Sequence, residues 1–186
     1  MRVISGKFKG KLIQFIKSEI TRPLKDSVKE NIFNILIHSK EINIQIENAK
    51  VLDLYSGVGS FGIECLSRKA NRVTFIEKDQ SAVKVLKKNL IDLSLENQAL
   101  VLNIDTNNIY ENIKYSKFNI LFFDPPFKNN NLVDVLKILK KNKNFEQKHI
   151  VIIHRERNSL DEYKDCLKLI SIKKYSRSKI IFGKFI

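Results

Sequence analysis

Cysteine is nearly absent. Two residues in a chain of 186, Cys65 and Cys166, are too few and too far apart for a disulfide framework or a thiolate metal site. Cys65 reads as a small buried thiol, and a reducing, cytoplasmic setting is expected. His38, His149 and His154 lack metal-like spacing and read as surface or structural residues, so no metal is expected. No stretch approaches the ~20 apolar residues of a membrane span. The first residues carry Arg2, Lys7, Lys9, Lys11 and Lys17 without a long apolar core, which argues against a signal peptide and for a soluble chain. Negative charge is also short: 20 Asp and Glu stand against 34 Lys and Arg, a formal net charge of +14. An A+T-rich coding sequence would favour lysine over arginine, but it would not create that excess. A polyanionic partner, nucleic acid, is expected. A hydrophobic content of 43% and a charged content of 29% are ordinary for one globular domain.

Glycine and proline are sparse, with six and three residues, so their clustering is informative. Three glycines fall in Asp53-Leu54-Tyr55-Ser56-Gly57-Val58-Gly59-Ser60-Phe61-Gly62, which spells G-x-G-x-x-G after the apolar strand Val51–Leu54. Two prolines fall in Asp124-Pro125-Pro126-Phe127, after the apolar run Ile120–Phe123. Around these, strands at 72–77, 99–104, 118–123 and 149–153 alternate with helices starting at Ile63 and spanning 81–90 and 132–139. That rhythm predicts an α/β parallel sheet. Residues 167–175 and 179–185 read as a terminal antiparallel hairpin. Residues 1–45 read as a basic extension packed on the 46–186 core: short strands or a hairpin to about residue 20, then a helix. Ser27-Val28-Lys29-Glu30 has the pattern of a capping box, and Val28, Ile32, Phe33, Leu36 and Ile37 recur at helical spacing.

The glycine turn permits close approach of a nucleoside cofactor, and its spacing alone would also admit a dinucleotide, with Glu77 about 20 residues beyond Gly57. Two features favour S-adenosylmethionine. Asp53, before the glycines, would disfavour a pyrophosphate and suit the cofactor's ammonium group, directly or through water. Asp124 with its prolines has no use in hydride transfer. Glu77 is expected to accept from the ribose hydroxyls, Asp105 to take the adenine amine, and the Thr106 N–H to meet the ring. An aryl amine is a poor nucleophile. The Asp124 carboxylate and the Pro125 carbonyl would both accept from its NH2 and orient it, while Phe127 stacks on the base. The basic start of the chain is expected to grip phosphates through Arg2, Lys7, Lys9, Lys11, Arg22 and Lys25, with Lys17 and Lys29 adding to the same face.

With these residues, the chain resembles the bacterial small-subunit ribosomal RNA guanine-N2 methyltransferase family over nearly its whole length. The marks are residues 1–10, Thr21-Arg22-Pro23 with residues 26–36, residues 51–62, Phe75-Ile76-Glu77-Lys78-Asp79 and the aspartate-proline-proline-aromatic motif. The last two marks are shared by many amine methyltransferases, and the N-terminal pair is more particular. The resemblance implies a Rossmann-like class I methyltransferase fold, a mostly parallel seven-stranded sheet with a reversed last strand. It implies transfer to the N2 amine of one guanine of 16S rRNA within the small ribosomal subunit; a monomer is expected. Tyr55, Gly57, Gly59 and Lys78 then join Asp53, Glu77, Asp105 and Thr106 as cofactor residues, and Arg22 lies near the substrate mouth. Two positions depart from the family pattern: Arg68-Lys69-Ala70-Asn71 replaces a glycine-rich bend, and Tyr175-Ser176 replaces a tyrosine-glycine. The rivals are an adenine-N6 methyltransferase acting on DNA or RNA, a glutamine-N5 methyltransferase, which more typically has Asn at position 124, and a NAD-dependent oxidoreductase.

Overall fold

A computed structural model describes residues 1–16, 24–126 and 131–186; the predicted contacts of Lys17, Arg22 and Phe127 lie outside them. Seven strands form one sheet: β1 (Lys50–Leu54), β2 (Arg72–Ile76), β3 (Ala99–Leu102), β4 (Phe118–Phe123), β5 (Phe145–Glu156), β6 (Leu167–Lys174) and β7 (Ser178–Phe185), in the order β3-β2-β1-β4-β5-β7-β6. The first five run parallel, and β7 is antiparallel to both β5 and β6. The α/β prediction and the terminal hairpin both hold.

Alternation along each strand sends neighbours to opposite faces, and both faces are covered. Val51, Phe75, Phe122 and Ile152 meet α1 (Asp26–His38), α2 (Ser60–Ser67) and α3 (Gln80–Asp92) on one face. Leu52, Leu121, Phe123 and Ile153 meet α4 (Ile109–Ile113) and α5 (Leu132–Lys141) on the other. Phe61 of α2 stacks on Phe122 with ring centroids 3.9 Å apart, and on Phe33 of α1 at 5.2 Å, which fixes α2 against the sheet.

Several expectations are corrected. The N-terminal segment is not among them: it turns back on itself as a short antiparallel hairpin around the Arg2–Leu12 bridge, with Val3 N–H donating to the Lys11 carbonyl at 2.9 Å and Ile13 N–H to the Met1 carbonyl at 3.0 Å, and side chains of the core hold its remaining backbone. Ile4 and Ser5 N–H donate to the buried Glu64 carboxylate at 2.7 and 3.0 Å, and Phe8 N–H donates to Ser67 Oγ at 3.0 Å. Helix α1 begins a residue before the expected capping box, with Lys25 at the N-cap and no side-chain cap bond. Its inner face takes Lys29 rather than Ile37, which is half exposed. Lys29 is fully buried, its Nζ donating to the Arg2 carbonyl at 2.8 Å and to Ser60 Oγ at 3.1 Å. Burial draws its pKa down while Glu64 and Asp26 oppose the shift. Lys29 therefore holds the fold together and is withdrawn from the phosphate-gripping set. Strand β3 stops at Leu102, β5 begins at Phe145 rather than His149, and α4 had not been anticipated.

Candidate active site

The register aligns the ends of the parallel strands. Leu54 pairs with Ile76 and with Phe123, and Ile76 pairs with Leu102, so Tyr55, Glu77 and Asp124 follow level residues at one sheet edge. That carboxyl edge is where open α/β sheets bind ligands. Asp124 N–H donates to the Leu54 carbonyl at 3.3 Å, tying the proline motif to the start of the glycine turn.

The turn is shaped by its own glycines. Gly57 and Gly59 have φ of +53° and +86°. A Cβ on Gly59 would lie 2.3 Å from Leu86 Cδ1, whereas one on Gly57 would meet nothing within 4 Å. Gly59 thus seats the turn on α3, and Gly57 leaves the space above it open. Tyr55 also takes a left-handed conformation, φ 58°, and its phenolic oxygen accepts from buried Thr106 Oγ1 at 3.1 Å. A bulky residue in that region is strained and must be held by its surroundings.

Glu77 is half-buried and ties two backbones together. Its Oε2 accepts from Gly57 N–H and its Oε1 from Asp79 N–H, each at 2.8 Å. Asp79 in turn caps α3 by accepting from Ala82 N–H at 2.9 Å. An ionised carboxylate has about four acceptor sites, so Glu77 can serve the turn and still accept from a diol. Asp53 is 1% exposed and lies under the turn, one oxygen accepting from Gly62 N–H at 2.9 Å. Desolvation pushes its pKa well above the usual carboxylate range against that hydrogen bond, and the nearby charges of Asp124 and Glu77 add to the rise. Asp105 accepts from Asn107 N–H at 3.0 Å and lies 3.6 Å from Lys78 Nζ, which places Lys78 at the same edge.

Open space above Gly57, at a sheet edge that carries Asp53, Glu77, Asp105 and Asp124, fits a cationic nucleoside and disfavours a pyrophosphate. That chemistry suits S-adenosylmethionine over a dinucleotide.

Asp124 is partly exposed and Pro125 is buried. Asp124 Oδ1 lies 2.8 Å from His154 Nδ1. The next residue on β5, Arg155, is 4% exposed and donates from Nη1 to the Pro126 carbonyl at 3.2 Å. Its Nε and Nη2 also reach both Asp161 oxygens, at 2.8 and 3.0 Å. Burial works to raise the Asp161 pKa, but the hydrogen bonds and charge of Arg155, with the hydrogen bonds of Ser159 and Tyr163, together outweigh it and hold the carboxyl below its ordinary range. The sequence reading missed His154 and Arg155 as neighbours of the site. A signal was available: His154 follows the apolar run Ile150–Ile153 as Asp124 follows Ile120–Phe123. The structural reading of His149 stands, since its Nδ1 faces the Glu146 carbonyl at 2.8 Å and its Nε2 accepts from Phe185 N–H at 2.9 Å.

The basic residues are spread along α2: the Arg2 carbonyl is joined through Lys29 Nζ to Ser60 at its glycine-turn end, and Lys7 lies at the other. Arg2, Lys7, Lys9, Lys11 and Lys25 are all exposed. Lys7 N–H donates to the carbonyl of Ser67, at the end of α2 opposite the glycine turn. Eight residues of helix separate the two ends, about 12 Å. Among the described residues no helix is long and apolar enough to cross a membrane.

The sequence matches the family model described as conserved hypothetical protein 95 over residues 1–184. It is 36% identical to the ribosomal RNA small subunit methyltransferase D of Buchnera aphidicola subsp. Baizongia pistaciae, covering 87% of this chain and 79% of that one. It is 32% identical to the protein of the same name from Haemophilus influenzae, covering 85% and 80%. Among solved structures, "Putative methyltransferase yhhF from Escherichia coli" superposes with a TM-score of 0.82 at 27% identity, over 100% of this chain and 97% of that one. The sheet is thus the Rossmann-like methyltransferase sheet, with its antiparallel C-terminal hairpin. The chain belongs to the conserved hypothetical protein 95 family, the family of the ribosomal RNA small subunit methyltransferase D proteins.

Proposed function

We propose that this chain methylates the exocyclic N2 amine of a guanine in small-subunit ribosomal RNA, with S-adenosylmethionine as donor. The observation that carries the reading is Asp124 with Pro125 and Pro126 leaving β4 beside the glycine turn, its backbone tied to Leu54. The family membership supports rRNA as the substrate, and the +14 charge agrees with it.

The cofactor supplies a methyl group on a sulfonium centre. Gly57 leaves room for it, and Gly59 lets the turn sit close on α3. Glu77 takes the ribose hydroxyls, and Asp105 with the Thr106 N–H takes the adenine. Asp53, buried beneath the turn, is assigned to the cofactor's ammonium end, whose positive charge would favour the ionised carboxylate that burial disfavours. Asp124 and the Pro125 carbonyl accept from the guanine NH2, so the nitrogen lone pair is turned out of conjugation and toward the donor side. Fixed acceptors at the reacting nitrogen give most of the rate, and no covalent nucleophile is needed. Phe127 follows directly in the chain and is assigned to stacking on the extruded base. Arg2, Lys7, Lys9, Lys11, Arg22 and Lys25 are assigned to phosphate contact. Residues 1–45 act as an RNA-gripping extension on the 46–186 core, and the protein works as a cytoplasmic monomer without metal.

The test is transfer of tritiated methyl to unmodified small subunits and to naked rRNA, followed by mass mapping. Label on a guanine N2 is the expected result. Label on adenine N6, or none on either RNA, overturns the proposal.

A further inference from the structure

We infer that His154 is a positioning residue for the reaction: it fixes the Asp124 carboxylate through an Nδ1–H···Oδ1 hydrogen bond. The inference rests on the methyl-transfer reading and adds to it a residue outside the aspartate-proline-proline-aromatic motif.

Three observations converge. First, the contact is short, 2.8 Å, between side chains that are 13% and 23% exposed, so it is formed largely away from solvent. Second, its placement follows from strand register and not from a mobile loop. Phe123 pairs with Ile153 on adjacent parallel strands, so Asp124 and His154 are the next residues of each. On its other side His154 pairs with Ile180 of β7, which makes β5 an interior strand there. Third, the following residue anchors the other end of the same motif. Arg155 holds the Pro126 carbonyl at 3.2 Å while locked to Asp161, whose Oδ2 also accepts from Tyr163 Oη at 3.1 Å. Two consecutive residues of β5 thus grip the side chain at the front of the motif and the backbone at its back.

The chemistry assigns the proton. A carboxylate only accepts, so in this bond the hydrogen sits on Nδ1 of the imidazole. One acceptor site on Oδ1 is then committed. The carboxylate is held in a single rotamer, and its remaining acceptor sites keep a constant direction relative to the Pro125 carbonyl. Without the imidazole, Asp124 is a short side chain at a sheet edge that can turn toward water. An amine would then meet its acceptor in many orientations. Loss of alignment at a reacting centre lowers the rate on bound substrate more than it lowers binding. His149, on the same strand, is the internal contrast. Both its ring nitrogens are engaged by backbone far from Asp124 in the register, so its replacement should affect folding and not turnover.

The test compares wild type with His154→Ala, His154→Asn and His149→Asn. It measures kcat and KM on small subunits, S-adenosylhomocysteine affinity by calorimetry, thermal midpoint, and the ¹⁵N shifts of the histidine rings. For His154→Ala, kcat should fall roughly 10- to 100-fold, with KM and cofactor affinity within about twofold. His154→Asn can place an amide N–H near the lost Nδ1–H and should recover much of kcat. In wild type, Nδ1 of His154 should carry the proton, and Asp124→Asn should shift that signal. Wild-type kcat in His154→Ala, or an Nε2–H tautomer in the wild type, overturns the inference and leaves the methyl-transfer reading intact. Equal loss in the Ala and Asn variants together with a lowered thermal midpoint also overturns it, in favour of a structural role. A folded wild-type protein that labels neither RNA overturns the functional reading first, and this inference with it.

Discussion

Replacing Glu77 by Ala should weaken cofactor binding about 100-fold while only modestly lowering stability. The side chain accepts from Gly57 N–H and Asp79 N–H at 2.8 Å each, so it joins the end of β2 to the glycine turn and to the start of α3. Hydrogen bonds to a charged group contribute about 1.5–3 kcal/mol each when well buried. Glu77 is half-buried, and both N–H groups can turn to water, so the loss of stability should stay near 1–2 kcal/mol in total. Binding loses more. Two ribose hydroxyls lose a charged acceptor, and the turn that must be in place before binding loses its tether. A 100-fold loss corresponds to about 2.8 kcal/mol. Glu77→Gln refines the test, because one end of an amide is a donor. It would set NH2 against either the Gly57 or the Asp79 N–H, and should be nearly as damaging as Ala despite keeping the shape. Calorimetric titration with S-adenosylhomocysteine, run beside urea unfolding, measures both effects. An affinity within twofold of wild type, with the turn still folded, would refute the role given to this carboxylate.

Asp124→Ala should lower methyl transfer on small subunits about 100-fold or more, roughly 3 kcal/mol at the transition state, with S-adenosylhomocysteine affinity changed only a few-fold; wild-type turnover would sink the mechanism. Replacing Lys7, Lys9 and Lys11 together by Ala should weaken small-subunit binding and reduce the slope of log affinity against log salt by roughly 0.7–0.9 per lost phosphate contact. Turnover at saturating substrate should hold, since the Lys7 loop lies against the far end of α2, and an unchanged slope would leave these lysines without an RNA role. Stability should fall as the pH drops below neutrality, in part through His149. Burial lowers its folded pKa, with Lys184 adding to the effect and the Glu146 and Gln147 backbone opposing it. The unfolded chain, with a pKa of about 6.5, therefore binds more protons in the window below that value. The stabilisation is complete above that window and is lost as the pH falls through the folded value, where a protonated Nε2 would face the Phe185 N–H. Urea midpoints of wild type and His149→Asn should converge toward acid pH, and parallel curves would contradict this.

Much of the molecule was legible in the linear chain because its signals are local. Strand alternation, the three glycines and the two adjacent prolines each announce a backbone shape that needs no distant partner. The positions of Asp53, Glu77, Asp105 and Asp124 at strand ends followed from the same periodicity. What escaped were relations between strands. The burial of Lys29 depends on Ser60 and on the Arg2 carbonyl, residues about thirty positions away in either direction. The capping box at Ser27 did not form either: Lys25 stands at the N-cap of α1 with no side-chain cap bond. The place of His154 at a strand end was readable, but its partner was not, because the contact with Asp124 arises only when β5 is laid beside β4 in register. Composition and periodicity determined that this is an α/β sheet with its acids on one edge. Only the tertiary structure decided which of those acids is sunk beneath the turn, which ties two backbones together and which is held by an imidazole. Burial and hydrogen-bond partnership are properties of the packed neighbours, and a side chain's own identity does not contain them.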